Sequence, residues 1–130
     1  MERLRQRIET TSSALHTLRE VIGTENVPVI QRDAAIQRFE YTVEALWKAA
    51  RVYLLEMEGI EAASPKRVLR ECRKIGLLSE SEAVLGLQMI DDRNLTSHTY
   101  HQGLAERIYE QLVEYAGLME KWLQAMQDRG

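Results

Sequence analysis

Apolar residues recur along this chain at alternating intervals of three and four, the spacing of one face of an α-helix. Leu4, Ile8, Thr11, Leu15, Leu18 and Ile22 mark a first helix, which Gly23 stops. His16 lies off that stripe and is expected to face solvent. Residues 24–28 read as a loop. A long second helix is predicted from Val29 to Met57, on a stripe of Ile36, Phe39, Val43, Leu46, Ala50, Leu54 and Met57 that Trp47 widens and Gly59 ends. Ser64-Pro65 is a start signal, with Ser at the N-cap and Pro at the first helical position. Behind it Val68 or Leu69, Cys72 and Ile75 face inward, and Gly76 closes a short helix. Ser79 and Glu82 have the spacing of a capping box, and the fourth helix carries Ala83, Leu87 and Ile90. A last helix from Leu104 to Gln127 bears Leu104, Ile108, Leu112, Tyr115, Met119, Trp122 and Met126. No two-residue alternation, hairpin signal or internal repeat interrupts this pattern. The predicted fold is all-α: an antiparallel up-and-down helical bundle of four main helices and one short one, in a single domain spanning residues 1–130. Taken alone, every stripe is simply core.

Composition narrows the picture. With 130 residues the chain can bury roughly two-thirds of the surface it exposes when unfolded, so it needs no disulfide or metal to fold. Its one cysteine, Cys72, forbids an intramolecular disulfide and suits a cytoplasmic setting. No apolar run follows Met1, and none elsewhere is long enough to span a bilayer, so a membrane partner is not expected. The formal net charge of −3 argues against binding nucleic acid through bulk charge. DNA is therefore not expected as a partner, and any contact with RNA must be local.

The fourth helix breaks the pattern. Its ridge from Ala83 through Leu87 and Ile90 next reaches Asn94, with Arg93 beside it, preceded by Asp91 and Asp92 and followed by the polar run Thr96 to His101. Burying an amide or a guanidinium without partners costs kilocalories. The cluster must therefore satisfy itself, lie at a groove or meet a second subunit. The alternative is an ordinary polar helix end, with Asp91 and Asp92 solvated and neutralised by Arg93. His exchanges protons near neutral pH and Arg matches a phosphate in two-pronged geometry. RNA cleavage needs both: a base for the ribose 2′-OH and a cation for the crowded phosphate. On one straight helix Arg93 and His98 would diverge by about 140°. They can converge only if the helix ends between them, for which Thr96-Ser97 is suited, or if another copy contributes.

The run Arg93-Asn94-Leu95-Thr96-Ser97-His98-Thr99-Tyr100 resembles the Arg-x4-His-x-Tyr signature of HEPN-domain proteins, and more narrowly the branch known as nucleotidyltransferase substrate-binding proteins. Gln37 to Tyr41 with Glu44, Trp47 and Lys48 is similar to that family's second-helix segment, and Ser64 to Leu78 to its short connecting helix. The resemblance covers residues 36–100. It implies a bundle that dimerises side by side, with the Arg and His of both copies facing a shared cleft, and a metal-independent endoribonuclease acting as the toxin of a toxin–antitoxin pair. Its hetero-partner would be a minimal nucleotidyltransferase, the MNT antitoxin, which silences it by transferring AMP to the signature tyrosine. By position, Arg93 and His98 would be catalytic, Asn94 would support them and Tyr100 would be the modified residue. An alternative within the same resemblance is a non-catalytic subunit that binds a nucleotide or substrate for the partner enzyme. A plain helical dimerisation scaffold is a third reading.

Other residues carry weaker signals. Glu40, Glu44 and Lys48 share a helix face; Glu40 is expected to orient Arg93 or His98 across the bundle, and Glu44 with Lys48 to form a solvated pair. Lys66, Arg67, Arg70, Arg73 and Lys74 concentrate positive charge on the third helix, as an RNA or partner contact or as an ordinary solvated face. His98, His101 and Asp91 or Asp92 do not amount to a metal site, and no cofactor is expected. Cys72 reads as a buried small residue.

Overall fold

The computed structural model describes residues 2–129. Five helices follow one another: α1 (Glu2–Arg19), α2 (Val29–Glu58), α3 (Pro65–Lys74), α4 (Glu80–Asn94) and α5 (Gln102–Arg129), with a 3₁₀ turn at Thr96–His98 between the last two. Together they form the expected all-α bundle, in which α3 is the short helix. α2 packs against each of the other four helices, most extensively against α1, and α5 closes the bundle against α1, α2 and α4. The stripes read from the sequence are the core. Leu15, Phe39, Leu46, Leu69, Ile108, Leu112, Met119 and Trp122 are all buried, and the rings of Phe39 and Tyr115 stack at 5.6 Å where α2 meets α5. No helix among the described residues is long and apolar enough to cross a membrane.

Caps explain the starts of α3 and α4 and the end of α2. The Ser64 side chain accepts the Arg67 amide, and Ser79 and Glu82 exchange reciprocal bonds of 3.1 and 2.8 Å. Gly59 ends α2 in the left-handed region at φ +67°, a conformation that an L side chain resists. One boundary differs from expectation. α1 stops at Arg19 rather than reaching Ile22: the Val21 amide bonds the Leu18 carbonyl only three residues back, which tightens the last turn, and the Tyr109 hydroxyl of α5 satisfies the Val21 carbonyl beyond it. Ile22 still packs against the core, but from a turn.

The buried face of α4 also differs from the predicted ridge. It consists of Ala83, Gly86, Met89, Ile90 and Asp92, whereas Leu87 is half-buried and Asn94 exposed. The helix is held from two sides. On one, Gly86 lies so close to Leu69 of α3 that a Cβ there would displace the Leu69 side chain. On the other, Asp92 is drawn down onto α5. Serving both contacts rotates the inward face so that Asp92, not Asn94, continues it.

Candidate functional site

α4 gives way where its sequence turns polar. The Leu95 amide reaches back to the Asp92 carbonyl, His98 to Leu95 and His101 to His98, a succession of tight turns at 2.9–3.1 Å. The Thr96 hydroxyl captures the Arg93 carbonyl at 2.7 Å, and the Thr99 hydroxyl that of Thr96 at 3.1 Å. These bonds serve carbonyls that the end of α4 leaves free, and the chain runs from Leu95 to His101 in tight turns with no α-helix. Arg93 and His98 thus stand on different elements. No hydrogen bond joins the two among the described residues.

His98 is exposed and its ring meets the Tyr100 ring edge-on at 6.0 Å. Tyr100 is 76% exposed and its other neighbour is His101, at 4.5 Å. The turn therefore presents a cluster of two imidazoles and a phenol to solvent. Asn94 is exposed.

Arg93 lines a small cavity of about 70 Å³ together with Val43, Glu44, Trp47, Pro65, Ile90 and Asn94. Its guanidinium lies 3.6 Å from Glu44 and remains about one-third exposed. Its buried Nε–H has no partner among the described residues. Glu44 is held on every side: it accepts the Trp47 indole N–H at 3.0 Å and pairs with Lys48 at 3.2 Å. Burial pushes its carboxyl upward, but the bonds from Trp47 and Lys48 and the charges of Lys48 and Arg93 outweigh this and leave it below the usual carboxylate range. The carboxylate that orients Arg93 is thus Glu44. Glu40, expected in that role, is half-buried one turn earlier and makes no hydrogen bond or ion pair among the described residues. Glu44 and Lys48 do pair, but as part of the Arg93 setting rather than as a free solvated couple.

The sequence reading missed Asp92. Rather than sharing solvent with Asp91, it is 3% exposed and accepts hydrogen bonds from the two terminal guanidinium nitrogens of Arg107, at 2.9 and 3.3 Å. It also accepts the Tyr115 hydroxyl. That hydroxyl in turn accepts from Gln88 at 2.9 Å. Burial and the Asp92 bond push the Tyr115 phenol well above its ordinary range, so it remains a donor. This clamp fixes the last turn of α4 to α5 immediately before Arg93. The available signal was the interval of three from Met89 to Asp92. Asp91 is exposed and pairs with Lys66 at 2.6 Å, so neither aspartate is neutralised by Arg93.

The basic residues of α3 disperse. Lys66 turns toward α4. Arg67 and Lys74 share Glu71 at 3.4 and 3.3 Å, and Arg73 approaches Glu80 at 3.9 Å. Only Arg70 lacks an acidic partner among the described residues. No group of three or more His, Cys, Asp or Glu among these residues is placed to hold a metal ion.

Known proteins share both the sequence pattern and the bundle. The family model described as "Nucleotidyltransferase substrate binding protein like" matches residues 6–128. A Haemophilus influenzae protein named "Probable ribonuclease HepT" is 34% identical over 101 residues, covering 72% of this chain and 68% of that one. A crystal structure of a Thermus thermophilus protein shares 52% identity with a TM-score of 0.88, over 89% of this chain and 98% of that one. A Haemophilus influenzae structure described as the fold of a substrate binding domain of a nucleotidyltransferase superposes with a TM-score of 0.74 at 24% identity. It covers 92% of this chain and 98% of that one, a likeness of fold. The signature carried by Arg93, His98 and Tyr100, the bundle that holds it and the match over nearly the whole chain agree: this protein belongs to the nucleotidyltransferase substrate-binding-like family of HEPN-domain proteins.

Proposed function

We propose that this protein is a metal-independent endoribonuclease, the toxin of a toxin–antitoxin pair, working as a homodimer with Arg93 and His98 of both copies facing one cleft. The observation that carries this reading is the polar turn after α4. It offers an exposed imidazole and a partly exposed guanidinium from adjoining elements, and a relative 34% identical is named "Probable ribonuclease HepT". In the reaction, one His98 imidazole accepts the ribose 2′-OH proton and the 2′-oxygen attacks the phosphorus. The 5′-oxygen leaves and takes a proton from the imidazolium of the other copy. The products are a 2′,3′-cyclic phosphate and a 5′-hydroxyl. Arg93 steadies the charge on the pentacoordinate phosphate, as fixed cations do, and Asn94 supports it by hydrogen bonding to the substrate.

The hetero-partner is a minimal nucleotidyltransferase that transfers AMP to Tyr100. The phenol oxygen attacks the α-phosphorus of ATP, pyrophosphate leaves and the phenol proton passes to base. The exposure of Tyr100 suits this reaction, and a nucleotide there would set bulk and negative charge against His98. A second reading, a non-catalytic subunit that binds nucleotide or substrate for the same partner, is favoured by the family's description and by that of the Haemophilus structure. End analysis of RNA incubated with the protein separates the two. A cyclic phosphate and a 5′-hydroxyl, lost in Arg93→Ala, are expected for the ribonuclease. Intact RNA together with tight nucleotide binding that Arg93→Ala abolishes would replace it with the binding subunit.

A further inference from the structure

Away from the polar turn, α1, the second half of α2 and the segment leading to α3 enclose a cavity of about 550 Å³. Its wall includes Arg3, Arg7, Arg51 and Arg67 against Glu61. Four arginines bordering one hollow stand out in a chain of net charge −3. Arg3 is partly neutralised by Glu56 at 3.2 Å and Arg67 by Glu71 at 3.4 Å. Arg7 and Arg51 make no ion pair among the described residues.

The cavity is connected to the Arg93 site by side chains. The Arg51 guanidinium lies 5.4 Å from the centre of the Trp47 ring, Trp47 donates its indole N–H to Glu44, and Glu44 holds Arg93. Residues 44, 47 and 51 are spaced i, i+3 and i+7, so they share one face of α2 over a length of about 10 Å. Trp47 and Arg93 line the same small cavity, while Arg51 lines the large one. A guanidinium, an aromatic ring and a second guanidinium in sequence, here beside one face of α2, are the elements with which proteins hold single-stranded nucleic acid. The cations follow the backbone and the ring supplies a stacking surface.

We infer that this face of α2 is the binding track for single-stranded RNA running from the Arg93 site: a base lies against Trp47, and backbone phosphates of the following nucleotides enter the hollow beside Arg7 and Arg51. The inference rests on the ribonuclease reading and extends it by naming where the strand lies. An acidic segment of a protein partner would also seek arginines. It has no use for the aromatic link to the site of phosphate chemistry, and that link decides for RNA.

The test uses full-length protein carrying His98→Ala, so that RNA is bound without being cut. Fluorescence anisotropy of a labelled ten-nucleotide single-stranded RNA is followed over a series of salt concentrations, with and without Arg7→Gln/Arg51→Gln. Arg51→Gln alone, at an exposed position, covers the case in which the double variant fails to fold. Arg19→Gln removes an exposed charge elsewhere and serves as the control. The expected result is a Kd at least about 10-fold weaker for the double variant. The slope of log affinity against log salt should fall by about 1.4, two contacts at roughly 0.7 each for single strands, with Arg19→Gln unchanged. An unchanged Kd and slope in the double variant overturns the track. So does equal weakening by Arg19→Gln, and so does loss of nucleotidyltransferase-partner binding with RNA binding intact, which would make the hollow a protein contact. If the track variants weaken RNA binding as expected but protein with His98 intact never cleaves, the ribonuclease reading falls and the track stands.

Discussion

At the scale of single residues, the setting of Glu44 and Arg93 carries a pH dependence with a definite sign. The Glu44 carboxyl lies below its ordinary value of 4.5, so it binds its proton less readily in the folded chain than in the unfolded one. Its contribution to stability is full above the ordinary carboxylate range and is lost as pH falls through the lowered folded value. The stability difference between the native chain and Glu44→Gln, followed by urea unfolding, should be constant from pH 8 to pH 5. It should shrink only in more acid solution; a difference that fades between pH 7 and 6 would show that Glu44 is not held this way. Cys72 gives a second test. Burial pushes its thiol up to about 12, and its side chain is closed off from solvent, so at pH 8 it is neutral and inaccessible. An alkylating reagent should leave the folded chain unmodified and label it once after denaturation. Glu40 and Glu44 show the limit of sequence reading at this scale. Both lie on one face of α2, one turn apart, and only the seating of α4 against α2 decides which of them meets Arg93.

At the scale of elements, the starts of α3 and α4 were legible because their caps act within three residues: Ser64 with Arg67, and Ser79 with Glu82. Asp92 was not, because its partners lie 15 and 23 positions away. A polar residue whose satisfaction depends on another helix looks in sequence like a solvated one. The bond from Tyr109 to the Val21 carbonyl just beyond α1, across 88 positions, was hidden for the same reason. Because the Asp92 clamp anchors the helix turn that bears Arg93, it predicts two effects together. Asp92→Asn should destabilise the fold by about 1–3 kcal/mol, the range for leaving a buried polar partner unsatisfied. The lower part of the range is expected because the Arg107 side chain left behind is half-exposed. RNA cleavage should fall through kcat more than KM, since Asp92 sets the position of Arg93 and touches no substrate. Tyr115→Phe, which removes one donor and leaves the Arg107 pair, should have a smaller effect on both. Equal loss from the two variants would mean that Arg107 contributes little to the clamp.

At the scale of the whole molecule, the spacing of apolar residues was enough for the helix order and the core, since amphipathic stripes must bury against one another. The polar turn after α4 was legible as well, because the stripe of that helix turns polar where the helix ends. The pattern could not show how charge is distributed. A net charge of −3 and the basic run of α3 suggested a patch on that helix, whereas most of that run is paired with acids and the arginines of the large hollow come from α1, α2 and α3 together. The central claim is chemical, and the most direct measurement is RNA cleavage by purified protein in excess chelator, beside His98→Ala, with the intact mass of both recorded. Unmodified protein should cleave, and His98→Ala, altered only at an exposed side chain, should lose about 10²- to 10⁴-fold in rate while melting at the same temperature. Folded protein of unmodified mass that leaves RNA intact, or a His98→Ala variant that cleaves as fast as the native chain, would contradict the account.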